Sequence, residues 1–384
     1  MWRGERYSHD RIRIAYISTD FRDHVVADAI AGCFEHHDKT RFETTAISLG
    51  PNDGSAMRRR IEVAFDRFID VQTLSDAAAA EMVRDLEIDV AIDLNGYSGE
   101  ARTGILARRP APVQVNYFGY PGTMAVPFID YIIADHWLIP EEHRVYYSEQ
   151  VVYLPHTYLP SDRKRPVATE APTRAGEGLP AAGFVFACLH NAFKIGPELL
   201  DIWARLLHGI ENSVLWFLED NAGASTNLKR ESECRGINPN RLVFAPRKPL
   251  ADHIARLSLG DLFLDTLPYN AHTSASDALW AGLPVLTCPG NTFASRVAAA
   301  LLCAIGLPEL VTASLAEYEN LARALAQDPG RLAALRLRLV RNRDTEPLFD
   351  TAGFTKDLES AYRTMCERQQ RGLPAASFSI EART

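Results

Sequence analysis

The sequence predicts an α/β protein made of two successive parallel-sheet domains, each doubly wound in the Rossmann-like manner. Three observations carry that expectation. Short apolar runs alternate with helical patterns along most of the chain, which is how parallel βα units read. The alternation stops across residues 160–182, a stretch rich in Pro, Arg, Glu, Ala and Gly without periodicity, and then starts again. A chain of 384 residues exceeds one ordinary core and suits two.

In the first half, strands are expected at 13–18, 43–49, 67–71, 89–94, 113–118, 131–134 and 151–154. Residues 75–86 read as a helix with Ser75 as N-cap and alanines inside. In the second half, strands are expected at 184–189, 214–218, 242–244, 262–265, 285–287 and 310–311. Helices fit at 197–207, where Pro197 suits the first turn, and at 225–235, 250–259, 274–281, 292–304 and 315–326. A last amphipathic helix fits 354–365. The domains are therefore expected at 1–160 and 184–352, with 161–183 as a linker, 353–367 as a closing helix and 368–384 as a flexible, frayed tail. Ligands of open parallel sheets bind at the carboxyl ends of the strands, so a cleft between two such ends is expected.

Composition narrows the partners. The chain is 47% hydrophobic and 23% charged, with a net charge of -8, and no basic face argues for nucleic acid. Its six cysteines are scattered without a Cys-x-x-Cys pair. That argues against structural zinc and a disulfide framework and fits a reducing, cytoplasmic setting. No signal peptide and no apolar run of about 18 residues is visible, so no membrane span is expected.

The first βα turn, 18–24, lacks Gly-x-Gly-x-x-Gly, so a nicotinamide dinucleotide is not expected. No Asp-x-Asp occurs, so the usual divalent-metal carrier of a sugar nucleotide is missing; no metal is expected, and protein groups must meet a diphosphate.

The most informative stretch is 264–287, which reads strand, polar turn, short helix, Gly-Pro stop, strand. It sets His272, Thr273 and Ser274 at a helix start, where free N–H groups and the helix dipole favour anions. A competing reading makes Ser274 and Asp277 a capping box, which leaves His272 and Thr273 unexplained. Lys194 follows a buried strand, with Asn191 before it, and is either a diphosphate donor or a solvated loop lysine. Residues 244–256 again follow a strand. Their backbone and His253 suit a base, with Lys248 and Arg256 nearby; the bland reading is a basic loop and a surface helix. His24 follows the first strand beside Asp20 and Asp23, either facing the ligand or as an ordinary helix-start histidine.

Segments 17–24, 94–97, 109–114, 119–123, 130–135, 154–157, 212–216, 289–290 and 294–298, in this order and with 264–287, resemble the catalytic region of the O-linked N-acetylglucosamine (O-GlcNAc) transferases. The resemblance covers about residues 11–365. It implies a GT-B fold and an inverting, metal-independent transfer from UDP-N-acetylglucosamine to serine or threonine of a protein acceptor. It implies that Lys194 meets the leaving diphosphate, that His272, Thr273 and Ser274 bind phosphate, and that Asp277 binds ribose. It further implies that His253 and Arg256, with Asn191 and Lys248, serve the nucleotide, and that His24 stands in the active site with an unsettled role. Ser274 replaces a threonine of the family pattern, Asn191 a glutamine, Phe193 a tyrosine and Leu250 a lysine. The alternatives are transfer from GDP-fucose, transfer to asparagine, a sugar-nucleotide epimerase, and a degenerate nucleotide-binding domain. No tetratricopeptide pattern is visible, so the chain is expected to be a fragment or a bacterial-type member that recruits acceptors otherwise.

Overall fold

The computed structural model describes residues 2–383 and divides them into two compact units, 2–163 with 347–383, and 164–346. The first unit opens with β1 (Ile12–Ser18), β2 (Phe42–Ser48), β3 (Arg67–Asp70), β4 (Val90–Asp93), β5 (Val113–Asn116), β6 (Tyr131–Ala134) and β7 (Gln150–Tyr153). The second holds β8 (Val185–Cys188), β9 (Val214–Leu218), β10 (Leu242–Ala245), β11 (Leu262–Leu264) and β12 (Val285–Leu286). Most strands read as continuous apolar runs because helices cover both faces of a parallel sheet. All four residues of β8 and all five of β9 are buried.

Pairing in the second sheet is parallel throughout, in the order β10-β9-β8-β11-β12. Every carboxyl end therefore lies on one side. The turns after β8, β10 and β11 carry the sequence-predicted residues of this unit. Beneath them the core includes fully buried Trp203 and Trp216. The indole of Trp203 donates to Tyr318 Oη (3.3 Å), which donates to the backbone carbonyl of Asp265 (3.0 Å).

Side-chain caps start many helices. Ser75 accepts from the N–H of Ala78 and begins the helix Asp76–Asp85, while Asn221 caps Ala222–Glu233. Three expectations change. The helix expected at 292–304 is two pieces, Phe293–Ser295 and Val297–Ala304, because Thr292 and Ser295 close a capping box and Arg296 breaks the run. The strand expected at 310–311 shrinks to a bridge between Thr287 and Val311 beside the short turn Pro308–Leu310. Nor is the segment after residue 367 simply a frayed tail. The helix Thr351–Gln370 runs past it, and β13 (Phe378–Ser379) then pairs with β7. It caps an edge whose backbone groups would otherwise lack partners.

That last helix belongs to the first unit by polar contacts as well as packing. Glu359 accepts from the backbone N–H of Asp38 (2.7 Å) and meets His37 Nδ1 (3.0 Å). His37 Nε2 lies 2.9 Å from Tyr16 Oη, which lies 3.1 Å from Tyr362 Oη. The eight strands run β13-β7-β6-β5-β4-β1-β2-β3, again all parallel.

Just past the carboxyl ends of β4 and β5 the chain approaches itself closely. A Cβ on Gly119 would collide with the carbonyl of Leu94, which is backbone and cannot swing aside. Gly119→Ala is therefore expected to destabilise the first unit by about 1–3 kcal/mol; an unchanged denaturant midpoint would contradict this packing.

Candidate functional site

In the second unit, β11 ends in a carboxylate. Asp265 is 2% exposed and accepts from the N–H groups of Thr266 (2.8 Å) and Ala271 (2.6 Å) and from Thr287 Oγ1 (2.6 Å). These bonds curl residues 265–271 into a fixed turn. Burial holds the Asp265 carboxyl at about 6, against the pull of those donors and of Lys194.

The turn meets Lys194, brought in by the short turn Ala192–Lys194 after β8. Its Nζ donates to the carbonyl of Asn270 (2.8 Å) and sits 4.2 Å from the ring centre of Tyr269. Burial lowers the lysine to about 8, while Asp265 works to keep it charged. His272 stacks on Tyr269 (ring centres 4.9 Å apart), and its Nε2 lies 3.1 Å from the carbonyl of Ala294. Burial, then Lys194, lower His272 to about 3, so it is neutral at pH 7.

The helix Thr273–Trp280 begins at His272, whose side chain makes no capping bond. The Ser274–Asp277 capping box does not form. Asp277 is instead held by Arg165, whose Nη1 reaches Oδ1 at 2.6 Å and whose Nη2 donates to Ser276 Oγ at 2.9 Å. Among the described residues, the backbone N–H groups of Thr273 and Ser274 have no acceptor. Lys194, these N–H groups and the hydroxyls of Thr273 and Ser274 thus give one cation and several neutral donors in one turn. That set can take up a doubly charged phosphate ester.

A second group follows β10, at one edge of the same sheet. His253 Nδ1 accepts from Arg256 Nη2 (2.9 Å) and Nε (3.3 Å). Arg256 is fully buried, donates to the carbonyl of Pro246 (2.7 Å) and lies 3.5 Å from Glu177. Glu177 also holds Lys248. Burial, aided by Arg256, lowers His253 to about 4.

The segment expected to be a linker, 161–183, therefore straps the second unit from residue 164 on. Besides Arg165 and Glu177, the N–H of Ala168 donates to the carbonyl of Ala251 (3.1 Å). Charged residues in an aperiodic stretch look like solvated loop in sequence, and only tertiary pairing buries them.

Asn191 accepts from Arg247 (3.0 Å), which also pairs with Asp220 (2.9 Å). His24 belongs to the first unit, whereas the other predicted residues belong to the second. It starts the helix Val25–His36, accepts from the N–H of Val26 (3.3 Å) and lies 3.5 Å from Asp20. The residues sequence reasoning did not single out are Asp265, Tyr269, Asn270, Arg165 and Glu177. Only Asp265 had a signal, a carboxylate directly after the buried run Leu262–Leu264. Among the described residues no group of three or more His, Cys, Asp or Glu could hold a metal ion, and no helix is long and apolar enough to cross a membrane.

Comparison with known proteins decides the family. The glycosyl transferase family 41 pattern matches residues 2–168 and 164–358. The chain belongs to that family. It is 36% identical over 376 residues to a probable UDP-N-acetylglucosamine–peptide N-acetylglucosaminyltransferase of Arabidopsis thaliana, covering 96% of this chain and 38% of that one. It is 27% identical to the corresponding enzyme of Caenorhabditis elegans, covering 95% and 41%. The chain thus spans about two fifths of the length of the curated relatives it matches. Among solved structures it resembles a mutant of the Thermobaculum terrenum O-GlcNAc transferase, with TM-score 0.87, 35% identity, and coverage of 95% of this chain and 69% of that one. A likeness to Anabaena HepE, solved with UDP and glucose, has TM-score 0.60 at 12% identity over 92% of this chain and 100% of that one, and reflects shared fold. That fold is GT-B, as the paired parallel sheets indicate.

The histidines make a pH dependence. From pH 6.5 downward, the unfolded chain protonates His190, His253 and His272, while burial keeps all three neutral in the fold to about 3 or 4. Asp265 acts oppositely below about 6, because the fold keeps its proton where the unfolded carboxyl has ionised, and buried Asp277 acts in that direction too. Three imidazoles outweigh two carboxylates, so stability falls with pH. Hydrogen exchange of β8 and β11 amides is expected to show an opening free energy lower by about 1–2 kcal/mol at pH 5.5 than at 6.5; equal or greater protection at pH 5.5 would refute this balance.

Proposed function

We propose that the chain is an inverting glycosyltransferase that moves N-acetylglucosamine from UDP-N-acetylglucosamine to serine or threonine hydroxyls of proteins. The observation that carries the reading is the seat of Lys194. One half-buried ammonium, positioned by the Asn270 carbonyl and the Tyr269 ring, stands at a turn that also offers the free N–H groups of Thr273 and Ser274. The family supports the same donor and acceptor: its Arabidopsis and Caenorhabditis relatives are named for transferring N-acetylglucosamine from UDP to peptide.

As the bond between sugar and diphosphate breaks, negative charge grows on the leaving phosphate. Lys194 and the 272–274 turn meet it with donors already in place, so little reorganisation is needed. These groups supply the charge that a metal would otherwise bring, and we propose a metal-independent reaction. Asp277 has one carboxylate oxygen on Arg165 and one for a ribose hydroxyl. His253, Arg256, Lys248 and Asn191 serve the nucleotide. His24, near Asp20, is assigned to the acceptor side of the chemistry in the first unit. A cytosolic place of action suits the six free cysteines.

Intact-mass analysis of acceptor proteins incubated with the chain and UDP-N-acetylglucosamine, with GDP-fucose in parallel, tests the reading. One N-acetylhexosamine per acceptor is expected from the UDP sugar. Lys194→Ala is expected to cut turnover by about 10²–10³ with the fold intact. Full activity in that variant would remove Lys194 from the reaction. Free isomerised sugar without an acceptor would indicate an epimerase. In the native chain kcat/KM is expected to fall as pH rises through about 8, where the free Lys194 loses its proton.

A further inference from the structure

The strap that begins at Lys164 reaches the second unit at a residue for which no role has been assigned. Glu177 ends the short turn Ala175–Glu177, and its side chain is 4% exposed. One carboxylate oxygen binds Lys248 and the other lies 3.5 Å from Arg256. Arg256 in turn donates two bonds to His253 Nδ1. A guanidinium has donors only, so Nδ1 is held as the acceptor and the proton of the neutral ring sits on Nε2. Among the described residues Nε2 has no partner. A buried arginine kept in that pose needs a compensating carboxylate, and Glu177 supplies it, with Asp252 adding a second negative charge near Arg256.

We propose that Glu177 is a positioning residue for the nucleoside end of the site: it anchors Lys248 and Arg256, and through Arg256 fixes His253 with Nε2–H free to donate to a nucleoside. The assignment rests on the nucleotide reading given above. It also divides the site by charge. The cations near His253 are tied to carboxylates, whereas Lys194 keeps a cation for phosphate.

Two measurements on the full chain test this. Imidazole ¹⁵N shifts report the tautomer of His253 without any ligand. A bare Nδ1 and a protonated Nε2 are expected in the native chain, and a mixture of tautomers in Glu177→Gln. A protonated Nδ1 in the native chain, or an unchanged tautomer in Glu177→Gln, overturns the anchoring. Calorimetric titration with uridine and with UDP reads the consequence. Glu177→Gln is expected to weaken both by the same factor, about tenfold, and Glu177→Asp, which keeps the charge, to recover part of it. Native-like uridine binding by Glu177→Gln overturns the role, as does a loss confined to UDP, which would move Glu177 to the phosphate end. If the native chain binds neither ligand yet shows the expected tautomer, the nucleotide reading fails and takes this role with it, while the anchoring geometry stands.

Discussion

The second unit is organised around one sealed carboxylate. A strand that ends in a buried Asp must satisfy that group or lose the free energy of desolvating it. Asp265 is satisfied by the backbone of the turn that follows and by Thr287 from the neighbouring strand. This bonding sets the direction of the Asn270 carbonyl and the Tyr269 ring, and those two groups receive Lys194. The carboxylate and the ammonium also stabilise each other's charge across the turn. Lys194 thus remains cationic at neutral pH although burial favours its neutral form. A lysine placed in the same loop without Asp265 would have neither its seat nor its charge secured.

The parallel sheet accounts for the company this pair keeps. Strands β8, β10 and β11 point the same way, so their carboxyl-end loops share one side of the unit. Lys194 meets Asn270 in this way across a long sequence distance, while Glu177 comes to Lys248 and Arg256 from the strap that precedes β8. The two groups differ in what they offer. At one, a cation stands next to unsatisfied N–H groups. At the other, each cation is already paired, and what remains is shape and directed hydrogen bonding. A ligand with a charged and an uncharged end fits such a division better than either a free anion or a free base would.

The strands were legible because burial on both faces leaves continuous apolar runs, and β1, β8 and β9 read that way without ambiguity. Ser75 was legible as a cap for a local reason: its hydroxyl bonds a backbone N–H three residues on. The break at Arg296 was hidden, because residues on both sides favour helix and the interruption comes from a Thr292–Ser295 interaction within a polar loop. The site divides in the same way. Lys194 and His272–Ser274 stand where strand ends and a helix start must lie, and periodicity finds those places. Arg165 and Glu177 stand in a stretch with no periodicity. Their meaning comes from partners at positions 277, 248 and 256, and no local pattern encodes such a pairing.

The helix Thr273–Trp280 shows how the fold keeps a helix start open. An uncapped start forgoes about 0.5–2 kcal/mol that a serine or aspartate N-cap would contribute, and eight residues are too few to make that up by propagation alone. The deficit is met elsewhere. Arg165 grips Asp277 and Ser276 from the side, Arg343 bonds the carbonyl of Trp280 at the far end, and Gly282, with φ of 82°, closes the terminus as the N–H of Leu283 returns to Ala278. Had Asp277 served as the partner of Ser274, the helix would have gained local stability and used one of the hydroxyls at its mouth. Anchoring the helix by its flank and its far end stabilises it as well, and leaves the N–H groups of Thr273 and Ser274 without an acceptor among the described residues.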